Sequence, residues 1–166
     1  MYANALYQRG FAKEGYKALN TLLEAAQNFE NRDRYPGIPE YFDNQGRGLY
    51  AYLTGAASWY MLTMITEVFG VRGDLGDLVI APALMPEQYN ENGQASLTME
   101  FAGRKLEICI CNPEKKLPSE YKIKTVWCDE KEMKNEQSTC VRIDRELLEK
   151  LSVCLLYTSD AADDLI

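Results

Sequence analysis

The sequence predicts an α+β fold, with helices first and an antiparallel β-sandwich second, and three observations predict it. Apolar residues recur at helical spacing up to about Gly70. After Asp77 the pattern changes to short alternating runs at close spacing, which is how a sandwich reads in sequence. Between the helical stretches lies a long segment, Asn28 to Gly48, rich in proline and glycine. At 166 residues, 46% of them hydrophobic, the chain has material for one domain or two small ones with a real core.

The first helix predicted is short, Tyr2 to Arg9, and Gly10 closes it. A longer one follows from Ala12 to Asn28, with Tyr16, Leu19, Leu22, Leu23 and Ala26 along one face. The Pro/Gly segment comes next; loops of that length are uncommon and are often functional. A further helix runs from Gly55 to Val68 and stops at Gly70. It is apolar almost all round, from Ala56 and Trp59 to Ile65 and Val68, so other protein must surround it, and Trp59 is assigned to the core. Two or three helices are too few to do that.

In the second half, Leu78–Ala81 reads as a short strand. Ala95–Phe101 and Lys105–Cys111 form a hairpin about Ala102-Gly103-Arg104, with Leu106, Ile108 and Ile110 on one face. Tyr121–Cys128 is predicted as a strand with Tyr121, Ile123, Thr125 and Trp127 on one side. Cys140–Ile143 is a weaker strand, and Arg145–Leu151 a short helix or turn. The change of texture falls near residues 72–80, and the domains are drawn as 1–75 and 76–153. The remainder, 154–166, contains CLLYTSDAAD, which is similar to one translated frame of a sequencing adapter. The other reading is an acidic tail after a short strand. As an artefact it is set aside from fold reasoning, with the coding sequence cut near Val153 and a sheet edge left exposed. Met1 reads equally well as an internal methionine.

A net charge of −7 and a pI near 4.7 argue against nucleic acid or an anionic membrane as partner, since both require a basic footprint. No secretory h-region opens the chain, and the apolar run Leu53–Ile65 is too short to span a bilayer. The five cysteines form no C-x-x-C pair. Cys109 and Cys111 would share one side of a strand, which suits packing better than a metal clip, and reduced thiols in cytoplasm are the expectation. Histidine is absent, which removes histidine-based nucleophile systems, metal sites and acid–base chemistry from this stretch.

The chemistry concentrates in Tyr35–Trp59, YPGIPEYFDNQGRGLYAYLTGAASW. Thr54 is placed to cap the apolar helix, and Gly55, Ala56 and Ala57 keep its first turn free of bulk. A helix start offers unpaired N–H groups and partial positive charge, which together make an anion site. The dipole alone is worth about 0.3–1 kcal/mol when exposed, so tight phosphate binding needs a cation too. Arg47 is the nearest, although it could equally pair with a carboxylate. The plain alternative is a start to a core helix and nothing more. Tyr41 and Tyr50 remain open between sugar stacking and packing.

The stretch GRGLYAYLTGAASWYMLTMITEVFGVRGDLGDLVIAPAL resembles the end of the catalytic barrel and the start of the C-terminal domain of the cellobiose phosphorylase family, glycoside hydrolase family ninety-four. The resemblance covers most of residues 1–150 and is strongest over 35–82. It implies that residues 1–75 are the closing helices of an (α/α)6 barrel and 76–153 a truncated antiparallel β-sandwich. It also implies an inverting β-glycoside phosphorylase, in which phosphate attacks the anomeric carbon and an aspartic acid protonates the leaving oxygen. The family's phosphate-binding Thr-Gly pair matches Thr54 and Gly55. Glu40 matches a polar residue that contacts sugar hydroxyls, its other reading being a loop carboxylate paired with an arginine, and Glu40, Tyr41 and Arg47 are carried as weak substrate contacts.

No residue matches the family's general acid, and Asp33 and Asp43 do not replace it. The expectation is therefore a fragment that is inactive alone and completed by the N-terminal part of the same enzyme. Its ligands would be a β-linked oligosaccharide and phosphate, with no metal or organic cofactor and a possible homodimer in the full-length protein. Two rivals stand beside this reading. One is a non-catalytic carbohydrate-binding or structural module; the other is an inverting hydrolase on the same barrel, which needs a base carboxylate and no phosphate site.

Overall fold

The computed structural model describes residues 1–28, 37–50, 52, 54–129, 131–133 and 138–150, together with the backbone of 154–159. The fold is mixed α and β, helices first and small sheets after. The chain divides into two compact units, Met1–Val68 and Phe69–Ile166. That division precedes the expected 75/76 boundary because residues 71–74 form a strand that pairs within the second unit.

In the first unit, α1 (Tyr2–Gln8) ends as the sequence predicts. Gly10 adopts φ +81°, its N–H donates to Tyr7 O at 2.9 Å, and the Phe11 N–H reaches Leu6 O at 2.9 Å. Those two bonds satisfy carbonyls that a helix end otherwise strands. In α2 (Ala12–Gln27) the buried positions are Gly15, Leu19 and Ala26. Gly15 sits mid-helix, where glycine costs about 0.5–1 kcal/mol, because the Tyr7 ring occupies its side-chain space. A Cβ there would lie 2.5 Å from Tyr7 Cδ2.

The Pro/Gly segment holds a small antiparallel hairpin, β1 (Tyr41–Phe42) with β2 (Gly48–Leu49). The expected helix 55–68 is α-helical only over α3 (Gly55–Thr63) and continues as a π-helical turn, Met64–Val68. That turn directs Glu67 inward, where Oε1 accepts from Gln8 Nε2 (3.1 Å), Asn4 Nδ2 (3.4 Å) and Thr66 Oγ1 (3.2 Å). A buried carboxylate needs such donors. The assignment of Trp59 to the core is corrected: Trp59 is 36% exposed, and Met61 and Leu62 are more so. Within this unit α1 lies against one side of α3 and leaves these side chains in solvent.

The second unit opens with a hairpin that the sequence reading only half saw, β3 (Val71–Asp74) and β4 (Asp77–Ile80). In β3 only Val71 is buried, so no alternation announces it. Gly70, just before, is compelled: a Cβ would fall 1.9 Å from Ala81 O, and φ is +68°. A 3₁₀ turn at Pro86–Gln88 leads to β5 (Gln94–Phe101) and β6 (Arg104–Cys111), paired antiparallel from Gln94↔Cys111 to Phe101↔Arg104. Leu106, Ile108 and Ile110 are each 1% exposed, as the alternation predicts. Burying each such side chain stabilises by about 1.5–3 kcal/mol.

The expected strand 121–128 shortens to β7 (Val126–Cys128), paired with β8 (Lys131–Met133). Tyr121 and Ile123 are buried, but the inward phase then slips one place, so Val126 and Cys128 face in and Trp127 faces out. Tyr121 is fixed instead by its hydroxyl, which donates to Pro82 O at 2.7 Å. β9 (Val141–Ile143) adds to β4, and α4 (Arg145–Lys150) follows. Asp77 joins the two: Oδ2 accepts from Arg142 Nη1 at 2.9 Å and Oδ1 from the Arg145 N–H at 3.1 Å. Finally β10 (Cys154–Ser159) pairs parallel to β6, Cys154↔Leu106 through Ser159↔Cys111. Residues set aside in the sequence reading thus supply a strand along one edge of β6. Among the described residues no helix is long and apolar enough to cross a membrane.

Candidate functional site

Thr54 adopts extended dihedrals (φ −74°, ψ 127°) immediately before α3, the conformation an N-cap requires. Its hydroxyl accepts from the Ala57 N–H at 3.2 Å and donates to Ile38 O at 2.9 Å. One side chain thus caps the helix and ties the preceding loop to it. The residue is buried, so both bonds are made away from bulk water.

The amide at Ala56 is also taken. Glu40 Oε2 accepts from it at 3.1 Å, and the other carboxylate oxygen lies 3.3 Å from where a Cβ on Gly55 would stand. Glycine at 55 is what lets the carboxylate come that close. The hairpin delivers Glu40: its backbone N–H donates to Tyr50 O at 2.9 Å, just beyond the Tyr41↔Leu49 pair. A carboxylate at a helix N-terminus is favoured by unpaired N–H groups and by the dipole together.

A cavity of about 370 Å³ borders this terminus, lined by Glu40, Gly55, Ala56, Trp59 and Tyr60 with Leu19 and Leu22 from α2. Burial pushes the Tyr60 phenol above its ordinary pKa, and Tyr16 adds to the effect, so Tyr60 faces the cavity as a neutral group. Glu40 and Gly55 meet at the cavity, and Thr54 adjoins them at the helix start without lining it. Neither Arg47 nor Tyr41 lines the cavity.

Arg47 pairs with Asp43, Nη2 to Oδ2 at 2.7 Å and Nε to Oδ2 at 2.8 Å, the carboxylate pairing weighed for it from sequence. Asp43 also accepts from the backbone N–H groups of Gln45 and Arg47, each at 2.9 Å. The Arg47 N–H first, with the Arg47 guanidinium and the Gln45 N–H, holds the Asp43 carboxyl below its usual pKa. Tyr41 and Tyr50 face one another with ring centroids 6.4 Å apart, both exposed, and Tyr50 adopts φ +58°. Tyr35 and Asp33 lie outside the described residues.

Two features were missed from sequence. Glu40 was weighed against an arginine partner, whereas its partner is a helix N–H sixteen residues on, and no local pattern signals that. The Asp43 turn did carry a signal, since Asp43-Asn44-Gln45-Gly46 has aspartate first and glycine fourth in a turn closed by the Gly46 N–H on Asp43 O (3.0 Å). The chain matches no protein-family model, and no curated protein matches it. Chemically, the arrangement already holds one oxyanion, the Glu40 carboxylate, on a helix amide beside a partly apolar hollow. Among the described residues no cluster of three or more metal-ligating acidic, cysteine or histidine side chains occurs.

Proposed function

We propose that the chain is part of an inverting β-glycoside phosphorylase related to the cellobiose phosphorylase family, and that Thr54 and Gly55 bind its phosphate. In this reading the helices of residues 1–68 close an (α/α)6 barrel, and the strands from residue 71 on belong to an antiparallel β-sandwich. The general acid comes from the N-terminal part of the same enzyme. The observation that carries it is the helix start at Thr54-Gly55-Ala56, where a carboxylate already sits on an amide at the mouth of a cavity. A terminus that accepts one oxyanion accepts another of similar size. Incoming phosphate replaces Glu40 at the Ala56 N–H, and the freed carboxylate turns to sugar hydroxyls. The exposed Tyr41 and Tyr50 rings supply faces on which a sugar could stack.

The test is made in a full-length phosphorylase carrying this segment. Thr54→Val removes the hydroxyl and keeps the shape, so the KM for phosphate should rise far more than the KM for sugar. Equal effects on both would remove the assignment. A second reading, a binding or structural module with no phosphate chemistry, is favoured by one fact: Glu40 and Asp43 already satisfy the Ala56 N–H and Arg47. Under it, Glu40→Gln leaves phosphate affinity unchanged. Under the first, removing the competing charge strengthens phosphate binding.

A further inference from the structure

In the second unit, two thiols that packing was expected to explain are not buried with the core. β6 alternates strictly: Leu106, Ile108 and Ile110 face inward, and Glu107, Cys109 and Cys111 lie on the half-buried outer face. Their cross-strand neighbours on β5 are Ser96, opposite Cys109, and Gln94, opposite Cys111. Both are exposed and polar, so that side of the thiol pair is not lidded by hydrocarbon. The two sulfurs are 3.9 Å apart.

That separation discriminates between two uses of a thiol pair. A disulfide needs the sulfurs at about 2.05 Å with the Cβ atoms drawn to about 3.8 Å. Residues two apart on an extended strand reach that only if the backbone buckles. Here β5 holds β6 on one side and β10 on the other, at the register of both cysteines. A metal bridge needs no such contraction. Two metal–sulfur bonds of about 2.3 Å that span 3.9 Å subtend about 116°, close to tetrahedral.

We propose that Cys109 and Cys111 form a two-thiolate clasp for one soft, thiophilic d¹⁰ cation of the Zn(II), Cd(II) and Cu(I) class. Thiolate donors select such ions over hard cations. On binding, each S–H releases its proton to solvent and two metal–sulfur bonds replace two metal–water bonds. Water or a small external thiol completes the coordination. The site is independent of the phosphate reading, because it lies in the other unit and uses none of its residues.

The experiment uses the full reduced chain and Cd(II) as probe, with two readouts. In the first, one equivalent of Cd(II) is added before alkylation, and mass spectrometry reads each cysteine. Cys109 and Cys111 should be protected together while the exposed Cys140 is alkylated. In the second, Cd(II) affinity is measured from thiolate-to-metal absorption. Cys109→Ser and Cys111→Ser should each weaken it on the order of 100-fold, because one donor of a chelating pair is lost. Cys140→Ser should leave it unchanged. Protection of Cys140 to the same degree, single substitutions that change affinity less than about twofold, or ready closure of the pair to an intrastrand disulfide when oxidised glutathione is added as the oxidant would overturn the proposal. The protection readout stands even if a serine variant fails to fold.

Discussion

Asp43 shows how much a single turn residue organises. Four N–H groups from Gln45 and Arg47 converge on its carboxylate, and the hairpin that presents Glu40 to α3 closes around it. Its folded pKa lies below the ordinary one, so its contribution is present above the unfolded carboxylate value and lost as pH falls through the folded value. The Tyr41–Tyr50 ring contact should therefore persist at neutral pH and loosen in acid below the usual carboxylate range. Nuclear Overhauser contacts between the rings followed against pH check this. An Asp43→Asn variant should show no acid step there, and an unchanged step would remove Asp43 as its cause. At this scale the sequence was informative where chemistry is local. The capping role of Thr54 follows from a hydroxyl before a run of small residues, and the structure has that bond. Glu40 was not legible in the same way, because its partner depends on how a hairpin folds back.

Among elements, the two hairpin tips of the second unit deserve comparison. Ala102-Gly103 takes φ values of +50° and +74°, and Leu75-Gly76 takes +53° and +98°. Both positive values at a two-residue connection define the turn that matches strand twist, and it prefers asparagine first and glycine second. Alanine and leucine at the first place carry a left-handed penalty of about 1–2 kcal/mol that asparagine partly escapes. Ala102→Asn should therefore stabilise by about 0.5–1 kcal/mol, seen as a higher Tm; an unchanged or lower Tm would contradict the turn assignment. The β5–β6 hairpin was readable because its inner face is continuous, Leu106, Ile108 and Ile110. The β3–β4 hairpin was not, because β3 buries Val71 and exposes the other three residues. In the segment 121–128 the period was readable but its phase was not, since the slip after Ile123 obeys packing rather than alternation.

For the whole molecule, the first unit leaves an uncommon amount of hydrocarbon in water. Tyr2 and Phe11 join Trp59, Met61 and Leu62 among its exposed large side chains. Large apolar side chains exposed in this number suit a surface that other protein covers, or one that aggregates. Expressed alone, the chain should bind a hydrophobic dye strongly and lose its helical signal over a broad denaturant range, monitored by circular dichroism. A sharp, cooperative, monomeric transition would contradict the barrel reading. The mixed α and β character was legible because periods of 3.6 and 2 occupy different stretches of the chain. The end of the α-helix at Thr63 was not, because a π turn leaves no mark in apolar spacing.

That π turn has an evolutionary corollary. A π turn is an α-helix holding one surplus residue, and each α-helical residue turns the chain by about 100°. Deleting one residue between Met64 and Val68 would regularise the winding, yet it would swing either Glu67 or the whole of α3 a quarter-turn from its present bearing. Glu67 would then leave Asn4 and Gln8, or Thr54 would leave Ile38. The insertion works as a phase adjuster, letting one helix meet two partners whose directions an unbroken spiral could not reconcile.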